Sequence, residues 1–236
     1  MAELAYLRGV IFDMDGVIVD SEPLSLLTIA EVVADRGGLA DLASFGDLVG
    51  RSLDDALAVA AAWSGRDLGV EDLRQAYDER YLPKLRESAP NAGLKELIAA
   101  LSGAGVPMAL ASSSTLAEID AIVSALDLGN VLTAIASGEE VPRAKPAPDV
   151  YLLALRRLGL DATSVVAIED SAPGVAAAIA AGLECVAVRT TLTASHDHGA
   201  AALTVGSLTE LDLPLLDRVS ARSQQGGGHA IDRGDR

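Results

Sequence analysis

Cysteine occurs once in these 236 residues, at position 185. A single cysteine cannot build an intrachain disulfide framework or a thiolate zinc cluster. Its setting in the apolar run CVAVR reads as a small core residue. Aromatic residues are scarce as well, with one Trp, four Tyr and two Phe, so a core must come mainly from Ala, Leu and Val. Positive charge is short: 18 Lys and Arg stand against 34 Asp and Glu, a net charge of −16. That balance repels phosphate backbones and anionic lipids, and argues against nucleic-acid and membrane partners. No run reaches the roughly 18 apolar residues of a membrane span. The N-terminus lacks the basic segment and unbroken apolar stretch of a signal peptide, and the expectation is a soluble cytoplasmic protein. The three histidines, His196, His198 and His229, fall late in polar sequence, and two of them one residue apart are weak evidence for a metal site.

Apolar patterning is plentiful and organised. From about residue 92 onward, strand-like and helix-like segments alternate: VPMALAS (106–112), then TLAEIDAIVSALDL; LTAIAS (132–137), then APDVYLLALRRLGL; SVVAIED (164–170), then PGVAAAIAAGL. CVAVR and ALTV read as further strands. Continuous apolar strands alternating with helices imply an α/β fold, a Rossmann-like doubly wound parallel sheet covered on both faces. Residues 21 to 90 differ, with helical periodicity in PLSLLTIAEVVADRGG, SLDDALAVAAAW and EDLRQAYDERYLPKL and no comparable strand. The division read from the sequence is a catalytic core of residues 1–20 and 91–216, a helical insert of residues 21–90, and a polar, Gly-rich tail of residues 217–236 expected to be disordered.

In a doubly wound sheet, ligands bind beyond the carboxyl ends of the strands. The first strand ends at Asp13 and Asp15 and the second at Ser112, with Ser113, Ser114 and Thr115 following. The loop after the third strand carries Lys145, and the fourth ends at Glu169 and Asp170. Each has an ordinary explanation taken alone (a turn, a helix cap, a solvated lysine), but all of them at successive strand ends make coincidence a poor account. Carboxylates of Asp13, Asp170 and Glu169 around one point need a cation, and oxygen donors without His or Cys suit Mg²⁺. Lys145 adds positive charge for a phosphate, while Ser112 and the amides after it offer donors at a helix N-terminus. Asp13 is then placed to attack phosphorus. Asp15 is placed to exchange protons with the leaving group and with water. Gly16 permits the tight turn that brings both acids to one site.

FDMDGV, LASSS, AKPAPDVY and AIEDSAPGV resemble, in order and spacing, the four motifs of the haloacid dehalogenase superfamily. The resemblance spans about residues 8 to 210, and the helical insert is similar to the cap of the subgroup with β-phosphoglucomutase and many sugar-phosphate phosphatases. It implies that Asp13 is the nucleophile, Asp15 the general acid/base, and Ser112 and Lys145 the phosphate-binding pair. It also implies Mg²⁺ held by Asp13, the Asp15 carbonyl and Asp170, with Glu169 in support. The dehalogenating members lack the second acid of the first motif, so Asp15 favours phosphate chemistry. LVGRSLDD (48–55) resembles the cap loop that meets substrate, which makes Gly50 and Arg51 candidates beside Gly16 and Ser113. Glu22 either approaches the site or supports the start of the first cap helix.

The expected activity is Mg²⁺-dependent hydrolysis of a small phosphorylated metabolite, a sugar phosphate in particular, by a monomer, with a dimer left open. The alternative is a phosphomutase of the β-phosphoglucomutase type. Ser25 stands where many relatives carry histidine, and Leu53 where that mutase has a cap arginine, and both departures weigh against it. A phospho-aspartate signalling module is a remote reading: such modules place the acid pair early and are about half this length.

Overall fold

The structure is a computed structural model that describes residues 4–38, 48, 53–191, 193 and 197–224. Its first strand, β1 (Gly9–Phe12), is buried along its whole length. From there the chain builds a compact unit of residues 20–88, then completes another from residues 1–19 and 89–236.

Among its described residues, unit 20–88 holds three helices and no strand: α1 (Glu22–Ala34), α2 (Leu53–Trp63) and α3 (Val70–Arg86). Helix α3 buries Leu73, Tyr77, Tyr81 and Leu85, a face repeating every four residues. Tyr77 and Tyr81 stack with centroids 4.8 Å apart, and the Tyr77 hydroxyl donates to Ser25 Oγ at 2.7 Å. The Ser25 hydroxyl is thus a structural tie between α1 and α3.

The larger unit continues with α4 (Leu94–Gly103), β2 (Met108–Ser112), α5 (Leu116–Ala125), β3 (Leu132–Ser137), α6 (Asp149–Leu158) and β4 (Val165–Glu169). It ends with α7 (Ala172–Ala180), β5 (Glu184–Val188), β6 (Leu203–Val205) and α8 (Leu213–Gln224). The strands form one sheet in the order β3-β2-β1-β4-β5-β6, and every ladder is parallel. This is the doubly wound α/β sheet that the uninterrupted apolar strands imply. Its order reverses between β1 and β4, and the carboxyl ends of those neighbouring strands flank the crevice such sheets use for ligands.

Alternation along the strands sorts the core. Ile11, Ala109, Ala111, Ala134, Ala136, Ala167, Cys185 and Ala187 share one buried cluster with Tyr151 of α6 and with Val175, Ala177 and Ala178 of α7. Small strand residues leave room there for the fully buried Tyr151 ring, which a scarcity of aromatics had left unannounced. Cys185 is the core residue its context suggested, and burial together with the charge of Glu169 pushes its thiol well above the usual range.

The C-terminal stretch corrects the sequence reading. Residues 217–224, expected within a disordered tail, complete α8, where Leu216, Val219, Ser220 and Ala221 are buried. The polar letters of RVSARSQ conceal an apolar stripe that packs against β4 and β5. On its other side Asp217 accepts hydrogen bonds from the backbone N–H groups of Ala5, Tyr6 and Leu7 at 3.2, 2.8 and 2.8 Å. Partial burial works against the Asp217 charge, but these donors and Arg8 outweigh it and hold the carboxyl below its ordinary value. A lowered folded-state value adds stability above the unfolded-state value of 3.8, and that stability is lost as pH falls through the folded value. Asp217→Asn is expected to cost about 1 kcal/mol or more at neutral pH. Thermal melts across pH should show the gap from wild type constant above pH ~5 and closing below it.

Candidate active site

The site begins where β1 stops. Asp13 follows directly, its N–H donating to the Ile168 carbonyl of β4 at 2.9 Å, so its backbone is registered against β4 before any side chain acts. The chain then turns: Gly16 N–H donates to Val19 O at 2.7 Å, and Asn91 Nδ2 donates to the carbonyls of Gly16 and Val17 at 2.9 and 3.0 Å. Gly16 has φ +78°, and a Cβ there would lie 2.1 Å from Asp170 Oδ2. Only glycine lets the turn press against the Asp170 carboxylate.

Lys145 reaches in from the loop after β3. Its Nζ donates to Asp13 Oδ1 at 2.6 Å, to Glu169 Oε1 at 2.6 Å and to the Ala111 carbonyl at 3.1 Å. It lies 5.0 Å from the centre of the Tyr151 ring. Burial opposes the Lys145 charge, but Asp13 and Glu169 outweigh it and raise its pKa. Glu169 is fully buried and has both oxygens engaged. Oε1 also accepts from the Tyr151 hydroxyl at 3.0 Å. Oε2 accepts from the N–H groups of Asp170 and Ser171 at 2.9 and 3.0 Å and from Ser171 Oγ at 3.0 Å. Burial would raise Glu169, yet Lys145 and these donors hold it below the usual carboxylate range. Helix α7 must approach closely for this, and a Cβ on Gly174 would stand 1.8 Å from Glu169 Oε1.

Asp13 has no such surplus of donors. Burial, joined by the charges of Glu169 and Asp15, pushes it up to about 8 against the pull of Lys145. Oxygens of Asp13, Glu169 and Asp170 all lie within 4.8 Å of one another. One lysine does not balance this group, and an all-oxygen donor set with excess negative charge fits a hard divalent cation. Asp15, half-buried, lies at the edge. Its Oδ2 accepts from Ser114 Oγ at 2.7 Å and, more distantly, from Ser112 Oγ at 3.4 Å. Ser112 Oγ itself accepts from the Ser114 N–H at 3.0 Å.

A family model described as haloacid dehalogenase-like hydrolase matches residues 10–188. The chain belongs to the haloacid dehalogenase-like hydrolase family. It is 33% identical to hexitol phosphatase B of Escherichia coli strain K12, with 75% of this chain and 82% of that protein covered. It is 32% identical to fructose-1-phosphate phosphatase YqaB of the same organism, over 77% of this chain and 96% of the other. Among solved structures, CbbY from Rhodobacter sphaeroides in complex with phosphate superposes with a TM-score of 0.77 at 28% identity, covering 87% and 96%. The chain is therefore an enzyme of a hydrolase family in which several relatives are named phosphatases.

Of the residues singled out from the sequence, Asp13, Asp15, Gly16, Ser112, Lys145, Glu169 and Asp170 come together in the larger unit of this family member. Ser113 is exposed on the loop after β2. Glu22 opens α1 in the other unit, where an acid in the first turn favours the helix dipole. Gly50 and Arg51 lie outside the described residues.

His198, read as part of a polar run, is buried at 3% exposure, with Nε2 2.6 Å from the Asp170 carbonyl. It braces the Asp170 loop from the segment after β5, a role the HDH letters did not signal. Asn91, Tyr151 and Ser114 were likewise unassigned. Lys145→Met leaves Glu169 buried without its counter-charge, and should lower unfolding free energy by about 3–5 kcal/mol in metal-free buffer. An unchanged urea midpoint would contradict the central place given to this lysine.

Proposed function

We propose that the protein is a Mg²⁺-dependent phosphatase of small phosphorylated metabolites, sugar phosphates foremost, acting through a phosphorylated Asp13. The reading rests above all on the convergence of the Asp13, Glu169 and Asp170 carboxylates, with the buried Lys145 ammonium bonded to the first two and Asp15 beside them. The names of the hexitol and fructose-1-phosphate phosphatases support the substrate class. The phosphate complex of CbbY supports phosphate as the ligand.

Asp13, Asp170 and the Asp15 carbonyl would hold Mg²⁺, with Glu169 supporting through its grip on Lys145, since its own oxygens are already engaged. When bound, Mg²⁺ supplies the positive charge that lets crowded carboxylates and a phosphate share one site. Lys145 orients Asp13 by holding Oδ1. An Asp13 oxygen attacks phosphorus as the bond to the leaving oxygen breaks, and protonated Asp15 gives its proton to that oxygen, releasing the alcohol. Asp15, now a carboxylate, takes a proton from water whose oxygen attacks the phosphorus. The bond to Asp13 breaks, Asp13 is regenerated and phosphate departs. Helices α1 to α3 fit the part of a substrate-selecting cap, with Gly50 and Arg51 its candidate contacts and Ser112, Ser113 and Gly16 those of the core.

The test is a sugar-phosphate and nucleotide panel with released phosphate and isomerised product both measured. Free phosphate should dominate; a faster isomerisation of a sugar 1-phosphate primed by bisphosphate would favour the mutase. Asp13→Asn should abolish turnover, and full activity in that variant would overturn the mechanism. Removal of divalent metal by EDTA should abolish activity, and Mg²⁺ should restore it. Calorimetry on Asp170→Asn should show at least tenfold weaker Mg²⁺ binding.

A further inference from the structure

The loop after β2 offers three serines and a threonine in succession, and only one of these hydroxyls is in short contact with Asp15. Ser114 Oγ donates to Asp15 Oδ2 at 2.7 Å, while Ser112 Oγ stands at 3.4 Å and Ser113 is exposed. The backbone of Ser114 is held from several directions. Its N–H donates to Ser112 Oγ at 3.0 Å, and its carbonyl accepts from the buried Ser137 hydroxyl at the end of β3, at 2.7 Å. On its C-terminal side Thr115 starts α5 in a reciprocal capping box with Glu118. Glu139 adds a bond of 2.8 Å from the Leu116 N–H. The loops after β2 and β3 touch so closely that a Cβ on Gly138 would lie 2.7 Å from the Ser113 carbonyl. This bracing goes beyond what a helix cap needs. It fixes the direction of one hydroxyl, and that hydroxyl meets the carboxyl assigned to proton transfer.

We infer that Ser114 is the positioning residue for Asp15, with Ser137 bracing it. The Ser114 hydroxyl anchors Oδ2 and limits rotation of the carboxyl, so that Asp15 meets the leaving oxygen in one orientation. This rests on the general-acid role proposed for Asp15. Its signature is selective: an anchored acid matters most when the leaving group is a poor one that must depart as the alcohol, and least when the leaving group departs readily as an anion.

The experiment compares kcat/KM for benzyl phosphate, an alkoxide leaving group, with that for 4-nitrophenyl phosphate, a similar shape with a good leaving group. This parameter reports the first phosphoryl transfer and not the later hydrolysis of the aspartyl-phosphate. Ser114→Ala should lose about tenfold on benzyl phosphate and only about twofold on 4-nitrophenyl phosphate, a part of the 10² to 10⁴ available to proton transfer. Ser114→Thr should restore the benzyl phosphate rate. Ser137→Ala, which leaves the contacting hydroxyl in place, should show the same selectivity in weaker form and covers the case in which Ser114→Ala does not fold. Equal losses on both substrates, or no rescue by threonine, would overturn the assignment. Asp15→Asn run alongside separates the two layers. If it shows no leaving-group selectivity, the acid role itself fails. If it does and Ser114→Ala does not, only the positioning role fails.

Discussion

Lys145 sits buried with its ammonium 2.6 Å from carboxylate oxygens of both Asp13 and Glu169, and much of the surrounding structure exists to make that burial possible. Desolvating a charge is expensive, and attraction in a low-dielectric interior repays it only with close geometry and full hydrogen bonding. The closeness comes from the sheet: β1 and β4 are neighbours, so the residues that end them are neighbours too. The hydrogen bonding comes from the Ala111 carbonyl at the adjacent strand and from Tyr151, Ser171 and the β4–α7 backbone around Glu169. Gly16 and Gly174 are glycines because the carboxylates of Asp170 and Glu169 occupy the space a side chain would need.

The two aspartates of the first motif have different surroundings, and their proposed roles follow from that difference. Asp13 is buried against a lysine and other acids; Asp15, half-buried, leans on serine hydroxyls. Two carboxylates one residue apart can serve as nucleophile and proton carrier only if the protein gives them distinct environments. The sheet edge does so by turning the chain sharply at Gly16, with Asn91 holding the turn from the other crossing of the chain.

Much of this was legible in the letters. Uninterrupted apolar strands alternating with helical periods implied the parallel sheet, and a parallel sheet implies that its strand ends converge. Asp13, Asp15, Ser112, Glu169 and Asp170 could be named because each lies at or just past the end of an apolar run, where position along the chain translates directly into position in space; Lys145, in the loop after β3, was named from its place in the AKPAPDVY motif. Residues held by loops were not legible in the same way. HDH in a polar stretch does not announce a buried imidazole against the Asp170 carbonyl, and four consecutive hydroxyl residues do not say which one faces inward. The apolar stripe of α8 was lost for a related reason: at helical spacing, Leu216, Val219 and Ala221 are separated by arginine and serine.

The sequence alone determined the fold class, the order of the sheet's strands along the chain and the acids available to the chemistry, because hydrophobic period and strand-end position are local properties. Only the tertiary structure decided that Glu169 spends its oxygens on Lys145, Tyr151 and the β4–α7 turn, that Ser114 rather than Ser113 meets Asp15, and that His198 braces the Asp170 loop. Those choices depend on distances between segments far apart in the chain. They are set by how closely loops and helices can approach, which no single stretch of sequence encodes.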